Sequence, residues 1–88
     1  MRFQGALIRE QGIEFGVVIV QRRVIDNRSE ADRVIAAFQD QVFPNIPVIL
    51  MAQDSRGRPS YYGRTDIARF LANVPLESIP WREYTISG

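Results

Sequence analysis

The sequence predicts a single small α/β domain spanning 1–88, with a mixed four- to five-stranded sheet and two helices in the order ββαββαβ. Three observations carry this. Val17-Val18-Ile19-Val20 and Val48-Ile49-Leu50-Met51-Ala52 are apolar without alternation, the pattern of strands covered on both faces. The stretch between them has helical periodicity. Its length makes that helix a crossover between parallel neighbours.

The first strand is read over Phe3–Ile8 and the second over Ile13–Val20, with Gln11-Gly12 between them as the hairpin loop. That loop sets Arg9 opposite Glu14 and Ile8 opposite Phe15, an ion pair and an apolar pair that both favour the register. Gly5 and Gly16 mark weak points or close backbone approach. Gln21–Asn27 is mixed and reads as a loop with a strand extension.

The first helix is read from Ser29 as its cap, followed by the acidic turn Glu30-Ala31-Asp32. Ala31, Val34, Ile35, Phe38 and Val42 share one face, while Arg28, Arg33 and Asp40 lie off it. Pro44 and Pro47 end the element. After the strand at Val48–Ala52, Asp54–Pro59 is dense in turn formers and Ser60-Tyr61-Tyr62 returns antiparallel. Pro59 makes that return an edge strand. Tyr61 and Tyr62 alternate faces, one expected inward and one outward. The second helix is capped by Thr65, with the stripe Ile67, Phe70, Leu71 and Val74, and is stopped by Pro75. Trp81–Ile86 has the composition of a last, edge strand.

The element order resembles a reduced thioredoxin-like layout. The competing arrangement is a ferredoxin-like split βαβ, which places Ser60–Tyr62 centrally. Ile46-Pro47-Val48-Ile49-Leu50 also resembles the strand entered through a proline in glutaredoxin-like proteins. Gly63-Arg64-Thr65-Asp66-Ile67 resembles the glycine-led helix start that holds a substrate carboxylate there. The first half has no cysteine pair, so the redox activity of that family does not carry over.

Composition removes most catalytic chemistries. The chain has no cysteine, histidine or lysine, and all eleven basic residues are arginine. Thiol redox chemistry, zinc–thiolate sites, Schiff bases and histidine proton transfer are therefore excluded. Ser29, Ser55 and Ser60 have no histidine to activate them. Asp26, Asp32 and Asp54 could meet and hold a hard cation, but their spacing does not require it; no metal and no cofactor are expected. A net charge of +1 is too small for a dedicated nucleic-acid binder. The apolar runs are far too short to span a bilayer and the N-terminus lacks a signal-peptide pattern, so a soluble cytoplasmic protein with no membrane partner is expected.

Two places could bind an anion. One is the rim at the C-terminal ends of the parallel strands, where Arg22 and Arg23 would lie beside Arg56 and Arg58. The other is Tyr62-Gly63-Arg64-Thr65, where Arg64 and the free N–H groups of a helix start could form a nest. From Arg56 to Arg64 there are three arginines, two tyrosines and no acid, the residue types that bind single-stranded nucleic acid. Asp54 and Asp66 flank that stretch. The expected role is protein interaction or self-association, because two doubly apolar strands need more cover than two short helices on one sheet face supply. A homodimer or a partner protein is the expected partner, with an arginine-based anion binder as the alternative.

Overall fold

In a computed structural model, which describes residues 1–10 and 12–86, the chain forms one five-stranded sheet in the order β4-β3-β2-β1-β5. The strands are β1 (Arg2–Glu10), β2 (Ile13–Ile19), β3 (Val48–Gln53), β4 (Pro59–Tyr62) and β5 (Arg82–Thr85). The helices are α1 (Arg22–Asp26), α2 (Arg28–Gln41) and α3 (Thr65–Leu71), with a 3-10 turn at Leu76–Ser78. β2 and β3 are parallel; every other pairing is antiparallel.

The hairpin register places Arg9 opposite Glu14 and Ile8 opposite Phe15, and Arg9 Nη2 donates to Glu14 Oε2 at 3.0 Å. Gly12 has φ 78°, the positive value a tight hairpin needs; Gln11 lies outside the described residues. The expected parallel centre, β2 beside β3, and the antiparallel return of β4 are present. The ferredoxin-like alternative fails because β4 sits at the sheet edge, where Pro59 breaks no ladder on the far side.

The helices divide between the two faces. α2 covers Phe3, Val18, Val48 and Leu50 with Ala31 and Phe38, and α3 covers Ala6, Phe15, Val17, Ile49 and Met51 with Ile67 and Leu71. Alternation along β3 therefore feeds two cores. Self-association was expected from an uncovered apolar face, and that premise does not hold, because each face has its own helix.

Four local expectations are corrected. Arg22–Asp26 is a helix, not a loop: Val24 and Ile25 tuck against the α2-side core, and this five-residue turn is too short to show a period. Asn27, not Ser29, caps α2, its Oδ1 accepting from the Glu30 N–H at 3.1 Å. Arg64 rather than Thr65 is the cap residue of α3, and Thr65 is its first helical residue. Phe70 is 38% exposed, because a helix of seven residues buries only the narrow Ile67–Leu71 face.

Tyr61 and Tyr62 alternate as expected, but both are half-buried because both faces are covered. The Tyr61 hydroxyl is buried without a hydrogen-bond partner among the described residues, and burial pushes its pKa up. Tyr61→Phe keeps the ring and removes an oxygen that lost water for nothing. We expect a stabilisation of about 1 kcal/mol, read as a higher urea midpoint at unchanged slope. A lower midpoint would show that the hydroxyl is satisfied in solution.

Candidate functional site

A broad concavity lies on the α2 side, where β4 stops short. β4 pairs with β3 only as far as Tyr62 opposite Leu50, and the chain then turns away at Gly63. Val48, the first residue of β3, thus lies beyond the reach of β4 and forms part of the cleft floor. One wall is the flank of α2: Asp32, Ile35, Gln39 and Asp40. The other consists of Pro44, Asn45, Ile46 and Pro47 together with Gly63 and Arg64. The cavity measures about 830 Å³ and is broadly open to solvent, within the size range of ligand sites.

The 44–47 wall is fixed at several points. Asn45 adopts φ 66°, a left-handed turn that asparagine tolerates. Gln39 Nε2 donates to the Ile46 carbonyl at 3.1 Å, tying the wall to α2. The Gly16 N–H donates to the Pro47 carbonyl at 2.9 Å, tying it to the sheet. Beneath it, Phe43 is buried over Gly16.

The cleft is acidic. The Tyr62 hydroxyl donates to Asp32 Oδ1 at 2.7 Å, and this bond to a carboxylate holds the phenol above its usual pKa. Arg64 is turned onto Asp66, with Nε to Oδ1 at 2.8 Å and Nη2 to Oδ2 at 3.0 Å. That fork holds the Asp66 carboxyl below its usual range and cancels the Arg64 charge. No arginine comes within 4.0 Å of the Asp32 or Asp40 carboxylates among the described residues. Arg28 lies one turn before Asp32 on α2 but outside the lining. Two carboxylates therefore share the cleft with the apolar side chains of Ile35 and Ile46 on its walls and Val48 on its floor. The Tyr62 hydroxyl donates to a carboxylate that disfavours its ionisation, so it is a poor nucleophile.

The residues expected to bind anions lie at opposite ends of the sheet. Arg22 and Arg23 sit on α1 and Arg56 and Arg58 on the β3–β4 turn, at the rim where the Val20 N–H meets the Met51 carbonyl. Arg22 pairs with Asp26 at 3.6 Å and Arg58 with Asp54 at 2.9 Å. Asp54 also accepts from the Arg56 and Arg58 N–H groups, and these bonds, the one from Arg58 foremost, lower its pKa. The α2 start at this rim is closed by Asn27. Tyr62, Arg64 and Thr65 lie at the other end, where Arg64 and Tyr62 already have carboxylate partners. Asp26, Asp32 and Asp54 each hold a separate partner, Arg22, Tyr62 and Arg58 respectively.

Ile35, Gln39 and Asp40 were not foreseen as site residues, and Asp32 was foreseen only as a candidate cation ligand. Their signal was a mixed strip beside the apolar stripe of α2, at i, i+3, i+7 and i+8. No family model, curated protein or solved structure matches this chain. No helix of the described residues is long and apolar enough to cross a membrane.

Proposed function

We propose that this chain is a small cytoplasmic binding module for a partner protein, and that its cleft takes a short extended segment of that partner carrying a basic side chain. The observation that carries this reading is the pairing of Asp32 and Asp40 with the apolar side chains of the cleft, in a protein whose net charge is +1. A lysine or arginine suits such a surface, because its aliphatic stem can lie along Ile35 and Ile46 while its head meets the carboxylates. A broadly open cleft suits a passing chain better than an enclosed small molecule.

The test compares labelled peptides of equal apolar content, one arginine-bearing and one glutamate-bearing, with a single-stranded oligonucleotide, by fluorescence anisotropy. The basic peptide should bind and the other two should not. Asp40→Asn should weaken binding about three- to fivefold, the size of one solvent-exposed charge contact. Tighter binding of the oligonucleotide or the acidic peptide would sink this reading and favour the arginine-based anion binder.

A further inference from the structure

The two edges of the sheet are not equally protected. At β4, the Met51 carbonyl accepts from Val20 on the β2 side, so alternate β3 residues Leu50 and Ala52 face β4. Their partners Tyr62 and Ser60 are thereby turned inward, leaving Tyr61 and Pro59 to face outward. Pro59 has no N–H to offer, so this edge presents one complete residue.

At β5 the pattern is different. Met1 N donates to the Ile86 carbonyl at 3.1 Å, and the Ile86 N–H donates back to the Met1 carbonyl at 2.8 Å. That reciprocal pair fixes the parity: Tyr84 and Arg82 also turn their backbones toward β1, while Glu83 and Thr85 turn theirs outward. Two N–H and two C=O groups therefore line an edge that has neither proline nor bulge. The charged side chains do not guard it. Arg82 lies over the Tyr84 ring at 6.0 Å, and Glu83 reaches along the sheet to Arg2 at 4.0 Å. Beside this edge, on the α2 face, is an apolar groove of about 200 Å³ lined by Val34, Phe38, Ile86 and Met1, with Met1 74% exposed.

We infer that a second copy of this chain pairs β5 with β5, antiparallel about a two-fold axis at Tyr84, joining the two sheets into one. The edge is self-complementary. With the axis at Tyr84, Glu83 meets Thr85 of the partner subunit, and the outward donors and acceptors of both copies are satisfied as reciprocal pairs. Sliding by one pair would set Glu83 against its own copy, a like-charge contact that disfavours that register. Tyr84 and its partner copy form the central non-hydrogen-bonded pair on the α2 side, the face that also carries the apolar groove at Ile86. This surface is separate from the cleft, so either proposal can fail alone.

Amide exchange by NMR tests it without a variant. At tens of micromolar the Glu83 and Thr85 amides should exchange as exposed groups. Near millimolar they should slow by about tenfold or more, in step with dimer formation in sedimentation, because pairing removes them from water. The Tyr61 amide on the other edge should not change. Thr85→Pro removes one outward donor and no β1 hydrogen bond, so it should give a folded monomer at the same concentrations. A monomeric native protein near millimolar would overturn the inference, as would a dimer whose slowed amides lie elsewhere or one that persists in folded Thr85→Pro.

Discussion

Phe43→Ala should cost about 3–5 kcal/mol, the range for emptying a buried aromatic site. A domain of this size has a total stability on the order of 5–10 kcal/mol, so the variant should be partly unfolded at body temperature. Phe43 is 5% exposed, packs edge-on to Tyr84 at 5.6 Å, and covers Gly16 so closely that a Cβ there would lie 2.7 Å from the ring. Gly16→Ala alone should therefore overpack the site and cost about 1–3 kcal/mol. In the double variant the new methyl enters the space the ring vacated, so the two costs should fall short of adding by about 1 kcal/mol or more. Urea unfolding of the four proteins measures this; strict additivity would show that the two residues do not share the space. Because Phe43 supports the 44–47 wall, any folded Phe43→Ala protein should also bind basic peptide less well.

Gly63→Ala is expected to cost about 2–4 kcal/mol, combining backbone strain with a steric contact. Gly63 has φ 149°, and a Cβ would lie 2.7 Å from Ile49 Cδ1 and 3.1 Å from the Val48 carbonyl. Gly57 is the control. It too has a positive φ, of 80°, but its Cβ would meet nothing closer than Gln53 Nε2 at 3.9 Å. Gly57→Ala should therefore show the backbone cost alone, about 1 kcal/mol. If the two variants melt together, the close approach of Gly63 to β3 is wrong, and with it the corner that opens the cleft.

Much of the fold was legible because it is written in neighbouring residues. Arg9 and Glu14 set the hairpin register, the Ala31–Phe38 stripe marked α2, and two unbroken apolar runs marked the parallel centre. Pro59 placed β4 at an edge. What periodicity cannot encode is which sheet face a helix crosses, so the covered second face, and with it the lost premise for self-association, emerged only from the packing. α1 escaped notice because five residues give no period. The cleft escaped because it joins Asp32 to Gly63 across the chain, and because Asp40 reads in sequence as an ordinary solvated helix face. The Arg64–Asp66 fork, two residues apart, was visible as flanking charge, yet only its geometry shows that the arginine is already occupied.

The cleft as a site for a basic segment is the central claim, and an NMR titration of labelled protein with the arginine-bearing peptide tests it most directly. The account predicts amide shifts confined to 32–40, 44–48 and 62–64, with the Tyr62 and Asp32 signals moving together because they share a hydrogen bond. Shifts centred on Arg22, Arg23, Arg56 and Arg58 at the opposite rim, or none in the cleft at saturating peptide, would contradict it.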